Sequence, residues 1–243
     1  MAQHLSQKMR RNGSVLSGSD YDLTEIPTPA ISADWLEQEY RYDGYVFLSK
    51  HAASSGVLAL TCHSTGNFAH AAFGGGDRQV AVPYPDLQKR YLRLLKARQE
   101  DFADFQITIE ATHHGPTALS KPSLFIEVGT TQAQWDDGDL CGRVAEVVDE
   151  AMRQDPGRYP VGICFGGTHY PRAFTQELLH GEFALGTVVP RRDLGHLDCD
   201  LFSHILERNA GATAALLDWK GLGPHKQKVL DLVADTDLEV IRL

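Results

Sequence analysis

The clearest candidates for chemistry are two adjacent histidines, His113 and His114, which stand between strand-like runs and directly before a Gly-Pro pair. Imidazoles titrate near neutrality and bind metal ions as neutral ligands. Glu110 and Glu127 flank the pair in sequence, and a carboxylate can orient an imidazole or act as a base. The segment therefore suits proton transfer or metal chemistry. The alternative is a polar turn whose histidines only hydrogen-bond to backbone.

Further histidines stand near the ends of other strand-like runs. The chain has eleven histidines, and five of them follow such runs within a few residues. This clustering favours a shared catalytic cleft over ordinary loop and core histidines. The five are His51, His63, His113, His114 and His169. The remaining six are interpreted as structural: His4, His70, His180, His196, His204 and His225.

Predicted strands and helices alternate along most of the chain. The strands are expected at residues 45–48, 57–61, 107–111, 123–128, 161–165, 184–189, 212–219 and 238–242. The helices are expected at residues 2–11, 34–40, 85–102, 140–151, 172–180, 198–208 and 224–234. Gly13 is the expected stop of the first helix and Ser32 the cap of the second. Residues 14–30 are expected to be irregular around one short strand.

This alternation predicts an α/β fold, with a largely parallel or mixed sheet and helices on both faces. Ligands of such sheets bind outside the carboxyl ends of the strands. The histidine-bearing loops are therefore expected at that edge. Residues 49–56, which follow the first predicted strand, form a second candidate loop with one lysine and one histidine.

Composition excludes several classes of protein. A chain of 243 residues with 42% hydrophobic and 23% charged residues is typical of a soluble globular protein, expected here to form one domain. A net charge of −9 argues against broad nucleic-acid binding, although a local basic patch remains compatible with it. The N-terminus lacks the features of a secretory signal, so a cytoplasmic location is expected. The four cysteines are far apart and are expected to be reduced: Cys62, Cys141, Cys164 and Cys199.

Two polar features are interpreted as surface structure. The basic residues of the predicted helix 85–102 are expected to form a solvated face: Lys89, Arg90, Arg93, Lys96 and Arg98. The three glycines at 74–76 lack the context of a phosphate-binding loop and are expected to form a flexible surface turn. Neither a HExxH metal motif nor a G-x-S-x-G nucleophile elbow is present.

Four motifs carry a family resemblance. They are EATHHGPT from Glu110, PSLFIEVG from Pro122, GGTHY from Gly166 and DWKG from Asp218. Two earlier motifs, SKH from Ser49 and LTCHSTGN from Leu60, extend the match from about residue 45 to the end. In order and spacing the chain resembles the archaeal and plant type of D-aminoacyl-tRNA deacylase.

The resemblance implies a fold and an activity. The expected fold is a three-layer α/β/α arrangement similar to peptidyl-tRNA hydrolases and nucleoside phosphorylases, formed by a single domain over residues 1–243. The expected activity is hydrolysis of the ester that joins a D-amino acid to tRNA, by a monomer that depends on Zn²⁺. Two departures are noted: the N-terminal strand of the family is missing, and Thr187 stands where the family tends to have histidine. Residues 14–26 are expected to cover the gap that the missing strand would leave, unless the start lies further upstream.

The resemblance also implies roles for individual residues. The catalytic set is His113, His114, Glu110 and Glu127. The metal ligands are His51, His63 and His169, and an exchange of roles with His113 and His114 is left open. The set that binds substrate or tRNA is Lys50, Thr65, Asn67, Lys121, Gly167, Thr168, Arg172 and Lys220.

The sequence leaves two routes of hydrolysis open. In the first, imidazoles and a carboxylate hold zinc, which lowers the pKa of a bound water. In the second, a histidine or glutamate is the general base and backbone N–H groups stabilise the oxyanion. A metal-dependent hydrolase of small amides or peptides is the alternative function, and a non-catalytic RNA-binding module is a third. The third would need a basic stripe or aromatic platforms that the sequence does not clearly show.

Overall fold

The computed structural model describes residues 1–12, 14–53 and 56–243. Its α-helices are α1 (Ala2–Leu5), α2 (Leu36–Glu39), α3 (Pro85–Ala97), α4 (Gln132–Asp136), α5 (Gly138–Arg153), α6 (Arg172–His180), α7 (Cys199–Arg208) and α8 (Lys226–Ala234). Its strands are β1 (Arg10–Asn12), β2 (Val15–Ser17), β3 (Asp22–Thr24), β4 (Tyr45–Ala52), β5 (Ala59–His63), β6 (Gly66–Asn67), β7 (Gln79–Val80), β8 (Gln106–Ile109), β9 (Ser123–Thr130), β10 (Val161–Phe165), β11 (Ala184–Val189), β12 (Ala212–Leu217) and β13 (Glu239–Arg242). Strands β10 and β11 have the same bounds as the strands expected at residues 161–165 and 184–189.

One of the two larger sheets is parallel throughout, in the order β11-β10-β12-β13. Successive side chains of a strand point to opposite faces, so each strand contributes to two cores. Cys164 and Leu216 pack with apolar residues of α3, α5 and α6 on one face. Ile163 and Phe165 pack with α7 and α8 on the other. This sheet therefore lies between two helical layers, as the predicted three-layer arrangement requires.

The other large sheet is mixed, in the order β4-β9-β5-β8. Strand β9 is parallel to β4 and antiparallel to β5, while β5 is parallel to β8. On one face Leu60 and Ile126 join the same core as Cys164. On the other, Phe47 and Phe125 stack with ring centroids 4.6 Å apart. The α/β class is confirmed, but the single predicted sheet is divided into two four-stranded sheets that share one core. The organisation of the chain as one domain stays a prediction.

The N-terminal segment differs most from its prediction. Helix α1 ends at Leu5, and a 3₁₀ turn at Ser6–Lys8 leads into extended backbone at Met9, so the helix predicted at 2–11 is wrong beyond its first turns. Strands β1, β2 and β3 form an antiparallel sheet where one short strand was expected. Gly13, the predicted stop, lies outside the described residues. The Tyr21 hydroxyl donates to Asp149 of α5, which fixes the β2–β3 hairpin against that helix.

Helix α2 is also shorter than predicted and begins after Trp35, so Ser32 does not cap it. The side chain of Asp34 instead accepts hydrogen bonds from two backbone N–H groups, those of Thr117 and Ala118.

No helix in the described part of the chain is long and apolar enough to cross a membrane.

The predicted solvated face of α3 is wrong for its central residues. Lys89 is fully buried, and its ammonium donates to the backbone carbonyls of Gly181 and Phe183. Arg90 is also buried and donates to Asp86 and to the carbonyls of Ala151 and Gln154 at the end of α5. Because unpaired carbonyls at helix ends need donors, these cations attach α3 to its neighbours. Arg93 likewise donates to the carbonyls of Leu178 and Gly181.

The buried lysine makes stability depend on pH. Burial, with a smaller contribution from Arg93, lowers the pKa of Lys89 to about 8. Between pH 8 and the usual lysine value of 10.5, the unfolded chain holds a proton that the folded protein has lost, so this residue's contribution to stability rises with pH. We expect the unfolding free energy of the wild type, relative to Lys89→Met, to increase across this range in urea titrations. Lys96→Met, at an exposed position of α3, is the control, and an equal pH dependence in both variants would contradict the assignment.

Candidate active site

Three of the predicted site residues lie on one face of the mixed sheet. His51 is in β4, opposite Gly129 of β9, and His63 ends β5, opposite Phe125. Glu127 of β9 lies between these positions on the same face, because side chains alternate along a strand. His51 and His63 therefore lie within strands, and not in the loops predicted to follow them; Ser54 and Ser55 of the first loop lie outside the described residues.

The orientation of the strands also corrects the expected location of the site. Strands β4 and β5 run in opposite directions, since β9 is parallel to one and antiparallel to the other. Their carboxyl ends therefore point to opposite edges of the sheet. A site at a common carboxyl edge, expected for a mostly parallel sheet, is impossible here, and the histidines meet above the sheet face instead.

The predicted central loop covers this face. Strand β8 ends at Ile109, so Glu110 already belongs to the loop. Thr112 N donates to Val188 O at 3.1 Å, and the Thr112 hydroxyl oxygen accepts from Val188 N at 2.9 Å. Ala111 N donates to His169 O at 2.8 Å. These bonds attach the loop to the parallel sheet. They bring His169, which follows β10, to the histidines of the mixed sheet.

Hydrogen bonds from side chains and from the glycine-rich turn at residues 74–76 hold the loop in place. Thr65 is buried and donates to Pro116 O, while Asn67 donates to the carbonyls of Gly74 and Gly76 at 2.9 and 3.2 Å. Gly76 N donates to the Thr117 hydroxyl at 2.8 Å. The turn predicted to be flexible is thus hydrogen-bonded to the loop. Thr65 thus holds the loop and Asn67 holds the turn, while their predicted role in substrate binding stays a prediction.

Glu110 is the centre of the cluster. Its side chain is almost fully buried, and its two oxygens lie 2.9 Å from His51 Nδ1 and 2.8 Å from His169 Nε2. A third imidazole nitrogen, His113 Nε2, lies 3.5 Å from the second of these oxygens. Burial would raise the pKa of Glu110, but the hydrogen bonds to His169 and His51 outweigh it and lower the pKa. Glu110 is therefore an ionised carboxylate that orients three histidines.

His51 is held between two carboxylates and a phenol. Its Nδ1 lies 3.3 Å from Glu127 Oε2, and its Nε2 lies 2.7 Å from the Tyr170 hydroxyl. Burial acts against its charge, but Glu110 and Glu127 raise the pKa of His51 to about 9. At neutral pH the ring is an imidazolium. Burial, with the same two carboxylates, raises the pKa of Tyr170 to about 12.

A second part of the cluster consists of three imidazoles. Ring centroids of His63, His113 and His114 are 4.3 to 4.8 Å apart. Each Nδ1 bonds to a backbone carbonyl: His63 to Ser64, His113 to Ala111 and His114 to Gly115. Since a carbonyl only accepts, each Nδ1 carries the proton. In a neutral ring this leaves the Nε2 lone pair free.

The charge state of these rings follows from their surroundings. Burial and the neighbouring rings lower the pKa of His113 to about 2 and that of His114 to about 4, so both are neutral. Burial would lower the pKa of His63 as well, but Glu127 and Glu110 raise it. Its Nε2 is buried without a hydrogen-bond partner. The potential at His63 thus favours a cation, either a proton or a metal ion.

Potential ligand atoms fall into three groups within the described residues. In each group the atoms lie within 4.8 Å of one another: His63 with His113 and His114, Glu110 with His113 and His169, and His51 with Glu110 and Glu127. The predicted metal ligands His51, His63 and His169 fall one in each group and do not form a common site. Exchange with His113 and His114, which the prediction allowed, gives the group of three imidazoles.

A small cavity opens beside Tyr170. It has a volume of about 210 Å³, and its lining includes the predicted substrate residues Gly167, Thr168 and Arg172. Tyr170, Arg191 and Asp218 also line it but were not predicted to be site residues. Tyr170 and Asp218 stand within two of the motifs that carry the family resemblance, and this position is the sequence signal that could have identified them. Arg191 stands outside every motif, and no local pattern marks it.

The other predicted contacts lie at the surface or in the core. Lys50 is exposed, with its ammonium 5.0 Å from the centre of the Trp135 ring, and Lys121 and Lys220 are exposed. Thr187 is buried, and its hydroxyl accepts from Asn209 Nδ2 at 2.8 Å. The position noted for its departure from the family therefore has a local hydrogen-bond partner.

Fold and site together define an α/β protein with a buried centre of imidazoles and carboxylates, suited to acid–base or metal-assisted hydrolysis. The sequence profile described as D-aminoacyl-tRNA deacylase matches residues 38–241. The chain is 60% identical to a D-aminoacyl-tRNA deacylase of Cenarchaeum symbiosum, over 99% of this chain and 93% of the relative. The chain belongs to the D-aminoacyl-tRNA deacylase family.

More distant comparisons agree. A D-aminoacyl-tRNA deacylase of Archaeoglobus fulgidus is 28% identical, over 92% of this chain and 82% of the relative. A crystal structure described as a conserved protein of unknown function superimposes with a TM-score of 0.91 at 26% identity, covering 99% of this chain and 88% of that one. The resemblance read from the motifs is confirmed. The alternative of a hydrolase of small amides or peptides is not favoured by these matches.

Asp34 offers a test of how the loop is positioned. One of its carboxylate oxygens accepts from both Thr117 N and Ala118 N at 2.7 Å. Removing a charged acceptor from two backbone donors should lower the unfolding free energy by about 2 kcal/mol. We expect Asp34→Ala to show this loss in urea unfolding and also to slow hydrolysis of D-aminoacyl-tRNA, with partial recovery in Asp34→Asn. Asp237→Ala, at an exposed position, is the control; normal stability and activity in Asp34→Ala would refute the role.

Proposed function

We propose that this member of the deacylase family hydrolyses the ester of D-aminoacyl-tRNA at the cluster formed by His51, His63, His113, His114 and His169 with Glu110 and Glu127. The products are the free D-amino acid and tRNA. The observation that carries the proposal is the convergence of five imidazoles and two carboxylates from three strands and two loops of one chain. Because one chain provides all of these groups, we propose that the monomer is active. We also propose that the protein acts in the cytoplasm.

His169 has the geometry of a general base. Its Nε2 lies 2.8 Å from Glu110 Oε2, which leaves Nδ1 to take the proton. Nδ1 is buried without a hydrogen-bond partner, so the attacking water would be held beside this nitrogen, away from bulk solvent. A carboxylate on one nitrogen orients the ring and stabilises the imidazolium that forms when the other nitrogen takes a proton. Glu110 thus acts through His169 on the attacking water. In this role Glu110 is a positioning residue.

Tyr170 is placed to stabilise the tetrahedral oxyanion. The imidazolium of His51 donates through Nε2 to the Tyr170 oxygen. The hydroxyl hydrogen of Tyr170 then remains available to an oxygen in the adjoining cavity. Donors fixed before the reaction stabilise developing charge without reorganisation. Gly167 and Thr168 also line this cavity.

The donor set also fits zinc. We propose that His63, His113 and His114 hold the ion through Nε2, because each Nδ1 is bound to a carbonyl as is usual for histidine ligands. Three imidazoles are a known ligand set of catalytic zinc, and a bound zinc ion lowers the pKa of its water to about 7. Glu127, 3.8 Å from His63 Nε2, would balance part of the added charge.

Exposed cations that line the cavity or stand within or beside the site motifs in the sequence suit the acceptor end of tRNA. Arg172 and Arg191 line the cavity, and Lys50, Lys121 and Lys220 are also exposed. Contacts to phosphates supply affinity without reading sequence. A net charge of −9 disfavours binding elsewhere on the surface.

The central histidines should be required for turnover. We expect His113→Ala and His114→Ala each to lower deacylation of D-Tyr-tRNA by roughly 100-fold or more, because each loses a group at the reacting centre. In a parallel assay, the wild type should not hydrolyse L-Tyr-tRNA. His180→Ala, at an exposed position after the core of α6, is the matched control. Unchanged turnover in both central variants would remove them from the chemistry.

Metal dependence separates the two routes. We expect chelation to abolish deacylation, zinc to restore it, and elemental analysis to find about one zinc per chain. His63→Ala should lose bound zinc, since three protein ligands hold a catalytic ion. Full activity in protein shown to be free of metal would exclude the zinc route and leave the His169–Glu110 pair as the base.

A further inference from the structure

Phe73 is the most exposed large hydrophobic residue of the described chain, with 68% of its surface accessible. A single exposed apolar side chain is ordinary on a protein surface. What distinguishes Phe73 is its place in the turn that supports the histidine loop. Its backbone carbonyl accepts a hydrogen bond from Gly115 N at 2.9 Å.

The turn that carries Phe73 is closely packed. Gly74 and Gly75 have positive φ angles of 73° and 75°. A Cβ on Gly74 would lie 1.9 Å from Ile31 O, and one on Gly115 would lie 2.3 Å from Gly75 N. Backbone therefore packs directly against backbone, which only glycine permits. Ala71 N also donates to the Asp77 carboxylate at 2.7 Å, closing the other side of the turn.

This packing links the backbone of Phe73 to the histidine loop. Gly115 directly follows His114, whose Nδ1 donates to Gly115 O at 2.7 Å. Phe73 is thus one hydrogen bond and one peptide away from a histidine of the cluster. Ring contacts run from His114 to His113 and on to His169, with centroids 4.4 and 4.9 Å apart. Tyr170, which lines the cavity, follows with its centroid 4.9 Å from that of His169. The backbone of Phe73 is thus linked to one end of this series of rings and the cavity to the other.

We propose that the ring of Phe73 is a stacking platform for the 3′-terminal nucleobase of the aminoacyl-tRNA. The inference rests on the proposed function, because the ester is carried by the ribose of that terminal nucleotide. The base is bonded to the same ribose, so a base-binding group must lie within one nucleotide of the histidines. An aromatic ring binds the face of any base by stacking and requires no hydrogen-bond partner.

Enzyme kinetics with Phe73 variants test the proposal. With D-Tyr-tRNA, Phe73→Leu and Phe73→Ala should raise KM roughly 10- to 100-fold, the range that stacking of one base gives, and leave kcat near the wild-type value. Phe73→Trp, which keeps an aromatic ring, should have a KM near that of the wild type. Val240→Ala, which truncates another exposed apolar residue in β13, is the control and should leave KM unchanged. A KM of Phe73→Leu equal to that of the wild type would overturn the proposal.

A spectroscopic measurement separates stacking from other roles. With 2-aminopurine in place of the terminal adenine of uncharged tRNA, binding should change its fluorescence for wild type and Phe73→Trp, and much less for Phe73→Leu. If Phe73→Leu lowers kcat instead of raising KM, and the fluorescence change persists, Phe73 shapes the His114 loop and the proposal is wrong. A wild type that binds this tRNA but hydrolyses no D-Tyr-tRNA would refute the proposed function, while its fluorescence response would still decide whether Phe73 stacks on the base.

Discussion

A single buried carboxylate, Glu110, holds the site together. Removing a carboxylate from water is costly unless cationic or hydrogen-bonding groups surround it. Here His51 from the mixed sheet and His169 from the parallel sheet each bind one of its oxygens. The charge of Glu110 therefore requires that both sheets keep their relative position. Loss of either imidazole would remove the nearest partner of one oxygen of this buried carboxylate.

The same requirement explains why backbone in the central loop is bonded on every side. Ala111 and Thr112 bond to the parallel sheet, and Gly66 N donates to His114 O at 2.7 Å on the side of the mixed sheet. Asp34 and the glycine-rich turn hold the far end of the loop. A centre of several imidazoles needs each ring fixed in orientation and tautomer, and carbonyl partners at Nδ1 provide this for three of them. Precision in the site comes from these bonds to the loop.

Local sequence patterns predicted much of the secondary structure and the fold class of this protein. Apolar runs and helical periodicity predicted the α/β class and the bounds of strands such as Val161–Phe165 and Ala184–Val189, because side-chain spacing reports directly which face is buried. The motifs around His113 and His169 indicated the family. Local pattern failed where long-range contacts decide, as for Lys89, whose burial depends on carbonyls of Gly181 and Phe183 that lie far along the chain.

The sequence by itself determined which residue types are available: five histidines near strand ends, two glutamates between them, and glycines before and within the loop. Only the tertiary structure decided how they combine. Opposite strand directions placed His51 and His63 on a sheet face, where a common carboxyl edge had been expected. The fold also brought Tyr170 and Arg191 to the site, bonded Thr65 to the loop and bonded Asn67 to the glycine-rich turn. The reason is physical: strand order, strand direction and hydrogen-bond partners are set by contacts between distant segments, which local spacing does not record.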